Sequence, residues 1–399
     1  MADYARNRAF LSANTIFMMS VAAYMSFSLF WHDPVPDKMR MPLSVILFLF
    51  AQVIPAMRVA VTRKKNIPMG LIRTGGFISA SFVLLSWCVL IRDVCLAMAY
   101  ICTWIFPSTE YGVQNIFSAA LSSPAQLSML AFSLGAASLG MAKALAVPAV
   151  HRIRLSVPHL PRELDGLTIA HLSDLHVGSS FTGAWLEKVV QRTNELSPDF
   201  IFITGDLADG TPEYMRDALR PLTALRARTD VVICTGNHDY YSGLEPWLNT
   251  WKKWGLHVLL NSCRHYTVKD RNVCVAAVTD RCAERFTHLP AAMGPPNIKK
   301  AMEGTEGSFV ILLSHRPGQA AESAAAGCHL QLSGHTHNGQ FFFLFPLVSF
   351  LNNGFRSGSY TVGGMALHVS PGTGMWSYIP MRLGTRSEIT LLTLQNGGY

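Results

Sequence analysis

The sequence predicts an α/β domain carried behind an α-helical, membrane-spanning region. Three observations predict it. Long uncharged apolar stretches fill residues 1–150, and from about 155 short β-rich apolar runs alternate with polar helical stretches. Half of the 399 residues are hydrophobic and only 15% are charged, with a mean hydropathy of +0.25. Residues 1–154 hold 13 Lys and Arg against 5 Asp and Glu, whereas 155–399 hold 20 of each. A basic excess confined to the apolar region points to lipid headgroups and topology, and away from nucleic acid.

The stretch 11–31 is 21 residues without a charge, enough to cross a hydrocarbon core about 30 Å thick. The predicted spans run over about 10–31, 41–61, 74–98 and 124–147. Arg6 and Arg8 precede the first span as in a signal peptide, but its apolar run is too long and more spans follow, so an uncleaved anchor is expected. Cations gather after the second span (Arg58, Arg63, Lys64, Lys65, Arg73) and after the fourth (Arg152, Arg154). The loop "PSTEYGVQN" has none, and in the first loop Lys38 and Arg40 face Asp33 and Asp37. With four spans this bias puts both termini and the polar half in the cytoplasm. The apolar segment 94–109 is read as a continuation of the third helix or an interfacial piece; a separate span there would move the polar half outside.

The eight cysteines show no CxxC spacing, which excludes a zinc ribbon or a disulfide framework and points to free thiols in a reducing compartment.

In the polar half, apolar runs repeatedly end in metal-ligand residue types. "LTIAHLSDLHVG" delivers Asp174 and His176, and "DFIFITGDLADG" delivers Asp206. "VVICTGNHDYY" delivers Asn237, His238 and Asp239. "SFVILLSHRPG" delivers His315, and "CHLQLSGHTHNGQ" delivers His335 and His337. Ligands bind beyond the carboxyl ends of strands in such sheets, and carboxylates gathered there repel one another unless cations neutralise them. Two divalent ions would do so, and a mixture of imidazole and carboxylate suits Mn²⁺, with Fe or Zn²⁺ as alternatives, better than Mg²⁺ or Ca²⁺. Gly205, Gly236 and Gly334 directly precede ligand positions and are expected to allow tight turns there. His171, His257, His265, His288, His329 and His368 are read as capped or solvated.

This ordered set (D-x-H, G-D, G-N-H-D, H, G-H-x-H) resembles the calcineurin-like metallophosphoesterase superfamily, over residues 155–399. The resemblance implies a four-layer α-β-β-α sandwich of two mixed sheets. It implies one metal on Asp174, His176, Asp206 and His337. A second would share Asp206 and add Asn237, His315 and His335. His238 would then protonate the leaving oxygen or stabilise its charge, with Asp239 either orienting that imidazole or capping the turn. The combination of "SDLHVG", "GDLADG", "GNHDYY", "SGHTHNGQ" and "PMRLGTRSEITLLTL" looks most like the YkuE-type, membrane-associated branch. Some relatives there cleave UDP-2,3-diacylglucosamine in lipid A biosynthesis. Asn338 stands where a glycine is common and Ser387 where a proline is usual.

Arg316, Arg356 and Arg382 are candidates to read a substrate phosphate, weighed against surface ion pairs. The apolar run "GQFFFLFPLVSFLNNGF" either meets lipid or forms a buried strand with a turn at Pro346. The expected function is a membrane-anchored dimetal phosphoesterase acting on a lipid-linked pyrophosphate or phosphodiester in a bacterial cell membrane. A phospholipid phosphodiesterase, a phosphatase of soluble substrates or phosphoproteins, and a scaffold with a vestigial metal domain are the alternatives.

Overall fold

A computed structural model describes residues 2–31, 35–62, 68–178, 180–376 and 379–397. Asp33 and the cations Arg63, Lys64 and Lys65, used above for topology, lie outside the described residues. The chain divides into two compact units, Met1–Ala142 with Tyr378–Met381, and Lys143–Ser377 with Arg382–Tyr399.

The first unit is helical: α1 (Ala2–Phe30), α2 (Asp37–Thr62), α3 (Met69–Ile105), α4 (Glu110–Leu121) and the greater part of α5 (Ser123–Leu145). Among the described residues, α1, α2, α3 and α5 are long and apolar enough to cross a membrane. α3 has 37 residues and is therefore about 55 Å long, so 94–105 continues it without a break. Arg92 and Asp93 thus lie inside this helix. Tyr24 of α1 donates to Asp93 Oδ2 at 2.7 Å and Arg92 Nε donates to Oδ1 at 2.8 Å, while Ser28 also donates to Asp93. Pairing of this kind is what makes charges tolerable within an apolar bundle.

The second unit begins at the end of α5 and enters β1 (Ala149–Val157). The further strands are β2 (Thr168–Leu172), β3 (Phe200–Thr204), β4 (Asp230–Cys234), β5 (His257–Val258), β6 (Ser262–Val268) and β7 (Arg271–Ala277). β8 (Phe309–Leu313), β9 (Leu330–Ser333), β10 (Gly358–Val362), β11 (Met365–Val369) and β12 (Glu388–Asn396) complete the set. Two mixed six-stranded sheets result, in the orders β1-β12-β2-β3-β4-β5 and β10-β11-β9-β8-β7-β6. Strands such as Phe200-Ile-Phe-Ile-Thr are apolar at successive positions because both of their faces are covered.

Three apolar layers separate four layers of structure. Ile169, Phe200, Phe202 and Val232 of the first sheet meet Val273, Val275, Ile311 and Leu332 of the second. The opposite faces of the same strands, Ala170, Ile201 and Ile233, receive α6 (Gly183–Asn194), α7 (Pro212–Leu219) and α9 (Leu244–Lys253). α6 is capped by Thr182, whose hydroxyl accepts from Trp185 N at 3.2 Å, and it buries Trp185, Leu186, Val189 and Val190 along one stripe. The short α8 (Asn237–Tyr241) follows β4. Cys274, Val310 and Leu312 of the second sheet are covered by α10 (Ile298–Ala301) and α11 (Ala320–Ala325). The fold is therefore the expected α-β-β-α sandwich.

The run 339–355 does not form a buried strand. It makes a single 3₁₀ turn and then α12 (Phe345–Leu351), with Pro346 in the first helical turn, where its missing N–H costs nothing. Phe350 is 82% exposed and Leu351 67%.

Candidate metal centre

The carboxyl ends of β2, β3 and β4 in one sheet and of β8 and β9 in the other converge on one buried point. Asp174, His176, Asp206, His335 and His337 all have positive φ, between 45° and 68°. Non-glycine side chains adopt that conformation at a cost, and such residues persist only where surrounding structure over-determines them. The glycines serve two purposes. Gly205 takes φ 81°, as expected for a turn. Gly236 is extended, and its place is explained by contact: a Cβ there would run into the Asp206 carboxylate. At Gly334 a Cβ would likewise meet Ser173 and Asp174.

Donor atoms form overlapping groups, with His176, Asp206 and His238 linking the outer two. Asp174, His176 and His337 make one group, and Asp206, His315 and His335 another, with the ligand atoms of each within 4.8 Å of one another. The Asp206 Oδ2 atom lies 3.5 Å from His176 Nε2 and 3.3 Å from His315 Nε2. The alternate residues His335 and His337 part company: His337 Nε2 sits 3.2 Å from His176 Nε2, and His335 Nδ1 sits 3.2 Å from His315 Nε2.

The fit to cations can be read from hydrogen bonding. His176 Nδ1 faces the Asp209 carboxylate at 3.0 Å, and His315 Nδ1 faces the Thr204 carbonyl at 2.7 Å. Both partners accept only, so both Nδ1 atoms carry hydrogen, and both Nε2 atoms face the same Asp206 oxygen. Ring nitrogens gathered on a buried carboxylate call for positive charge between them, a proton or a metal ion, and bonds of this type at Nδ1 orient metal ligands. Burial opposes a charged His315, but Asp206 and Asp174 push it up to about 10, so in this arrangement a proton takes that place. Burial together with neighbouring cations holds His335 and His337 well below the ordinary range, leaving neutral imidazoles. The residues fit two divalent ions: Asp174, His176, Asp206 and His337 would hold one, and Asp206, His315 and His335 would hold the other.

Asn237 lies at the start of α8, and its Oδ1 accepts from Arg316 Nη2 at 3.1 Å. Arg316 also donates to His335 Nε2 at 2.9 Å and pairs with buried Asp280 at 2.7 Å. It is brought into the site, where it positions residues of the second group.

His238 stands 4.6 Å from the His176 ring, and its Nδ1 lies 2.7 Å from Asp209 Oδ1. The residue that orients it is Asp209. Asp239, expected in that role, instead accepts from the backbone N–H groups of Asp206, Leu207 and Gly236 at 3.0, 2.9 and 2.8 Å. It shapes the loop that carries Asp206. Burial works against a charged His238, but Asp209 and Asp206 push it up to about 9.

The other two arginines divide. Arg382 is fully buried and donates to the carbonyls of His337, Arg386 and Gly374, so it braces the loops and is not available to substrate. Arg356 is half-buried with its guanidinium 4.0 Å above the Phe345 ring, and its carbonyl accepts from Thr336, the residue between the two histidines. Asn338 takes φ 50°, so it keeps the turn a glycine would make. Sequence reasoning missed Asp209 and Asp280. The first stands in the quoted "GDLADG" and the second ends the β7 run "VAAVTD", the same strand-end signal that located the ligands.

Residues 167–339 match the family model described as Calcineurin-like phosphoesterase. The chain is 37% identical over 267 residues to a "Transmembrane protein with metallophosphoesterase domain" of Danio rerio, covering 64% of this chain and 59% of that protein. It is 30% identical over 273 residues to "Uncharacterized metallophosphoesterase Cj0846" of Campylobacter jejuni, covering 68% and 69%. It is 30% identical over 254 residues to "Uncharacterized metallophosphoesterase YkuE" of Bacillus subtilis, covering 62% and 84%. The chain thus spans 59% of the length of the animal relatives carrying the transmembrane description. With the sandwich and donor groups in place, these likenesses show that the chain belongs to the calcineurin-like phosphoesterase family.

Proposed function

We propose that the protein is a membrane-anchored, metal-dependent hydrolase of lipid-linked pyrophosphates or phosphodiesters, with its catalytic unit in the cytoplasm of a bacterial cell. The observation that carries the hydrolase reading is Asp206 Oδ2, faced by the Nε2 atoms of both His176 and His315. Two divalent ions, Mn²⁺ first by the donor set, supply Lewis acidity towards phosphate oxygens and acidify water when bound. The protein's own part is orientation and proton supply. Asp209 accepts from His238 Nδ1 and so turns Nε2 towards the cleft, where a protonated ring donates to the oxygen that departs from phosphorus. The Asp206 side chain is fixed by His238 N, which donates to its Oδ1 at 2.7 Å.

Two features support a lipid substrate. Four helices are apolar enough to span a membrane, which would hold the catalytic unit near lipid at high effective concentration. The exposed side chains Phe342, Leu347, Phe350 and Leu351 follow directly on the His337 turn and offer an apolar surface beside the cleft. UDP-2,3-diacylglucosamine is the substrate we put first within that class.

The test is a panel assay in detergent with Mn²⁺, comparing UDP-2,3-diacylglucosamine, phospholipids and bis-p-nitrophenyl phosphate. Faster turnover of a lipid than of the generic diester is expected. The reverse order defeats the lipid reading, and no turnover of any of them defeats the hydrolase.

A further inference from the structure

We propose that Cys263, His265 and Cys274 form a second metal site, on the outer face of the second sheet, that takes a soft cation, zinc(II) first. The hairpin that builds it is closed by Lys269 and Asp270, whose φ values of 48° and 62° mark a two-residue turn of the type that suits strand twist. That turn sets the register, pairing His265 with Cys274 and Cys263 with Ala276. Directly paired residues share a face, as do alternate residues along one strand, so all three side chains project together.

The distances are those of a metal polyhedron. The three donor atoms lie within 4.8 Å of one another, and Cys263 Sγ is 3.7 Å from His265 Nε2. Tetrahedral zinc, with bonds of about 2.3 Å to sulfur and about 2.0 Å to nitrogen, requires a sulfur-to-nitrogen edge of about 3.5 Å. Small rotamer changes close the difference. Burial is graded in a useful way: Cys274 is buried, Cys263 half-buried and His265 exposed, so an ion can enter from solvent. A buried cysteine alone is an inert small hydrophobe, but a partly exposed thiol beside an imidazole and a second thiol is not. Further soft donors back the cluster, with Cys328 Sγ 3.4 Å from Met302 Sδ in the same apolar layer.

Two thiolates and an imidazole select zinc(II) or copper(I) over manganese, whereas the Asp206 centre holds only oxygen and nitrogen donors. Binding releases two thiol protons to solvent and leaves a neutral site with one position for water. β6 is the last strand of its sheet, so the ion would tie an edge strand to its neighbour.

Cobalt(II) tests the site without interference, because only thiolate ligands give the intense near-ultraviolet sulfur-to-cobalt charge-transfer band. Full-length protein, kept reduced and preloaded with Mn²⁺, is titrated with cobalt chloride. The band should saturate at one cobalt per chain, be bleached by zinc and vanish in Cys263→Ser. In His265→Ala, an exposed change that leaves the fold alone, cobalt affinity should fall about tenfold or more. No band in wild-type protein, or an unchanged band in Cys263→Ser, overturns the proposal. So does a Cys263–Cys274 disulfide in protein purified without oxygen, which would assign the pair to redox chemistry.

Discussion

The His335–His337 turn and the β6–β7 hairpin each bring histidine within ligand distance of other donors, by opposite means. The turn gathers ligands from the ends of five strands in two sheets and holds most of them in left-handed backbone. The hairpin uses regular strand geometry, and its ligands meet only because a two-residue turn sets the register. One site holds its ligands themselves in left-handed backbone and is rich in oxygen and imidazole; the other keeps its ligands in regular strand, confines left-handed backbone to the turn at Lys269 and Asp270, and is rich in sulfur. Backbone strain thus accompanies the centre assigned to catalysis, where geometry has to be fixed against relaxation.

The largest effect expected from breaking this contrast is at Asp206. Asp206→Asn should lower phosphodiester turnover by about 10³-fold or more, because both donor groups lose the shared charge. The cobalt band of the hairpin should not change. A steady-state assay beside the titration checks both. His238→Gln should cost about 10²–10⁴-fold in kcat, as expected for loss of a general acid.

Asp209→Asn should cost less, about 10–100-fold, since it removes an orienting partner. Its pH profile separates it from a purely structural change. Asp209 pushes the His238 imidazole up, so its loss lowers that value, and the acid form persists only to a lower pH. The alkaline limb of kcat should therefore move to lower pH in Asp209→Asn and stay in place in Asp239→Asn.

The smallest effect concerns lipid. The double change Phe350→Glu and Leu351→Glu should slow hydrolysis of vesicle-borne substrate about tenfold, which corresponds to about 1.4 kcal/mol, since side chains resting on a lipid surface are withdrawn from water only in part. Hydrolysis of bis-p-nitrophenyl phosphate should be unaffected, and equal slowing of both would show that α12 supports the fold instead.

The contrast also explains what could be read from the sequence. Ligands such as Asp174, Asp206 and His315 were legible because each closes a strongly apolar run, and strand ends in an α/β sandwich converge by topology. Asp209 was visible in the same run as Asp206, yet nothing in one dimension distinguishes it from Asp239 as the partner of His238. That choice depends on how the loop after β3 folds over α8. Arg382 looked available because it lies in a glycine-containing loop, but five acceptors enclose it, among them the carbonyls of His337 and Gly374. The apolar run 339–355 has no charge, and period alone does not separate a buried strand from an exposed helix. His265 reads as capped or solvated in the sequence alone, since Cys274 is nine residues on and only the hairpin register joins them.

The most direct measurement counts manganese per chain by mass spectrometry in wild-type protein and in Asp206→Asn, both folded and freed of loosely held ions. Two ions in the wild type and one or none in the variant are predicted. Two ions retained without the Asp206 carboxylate would contradict a centre built on that shared oxygen.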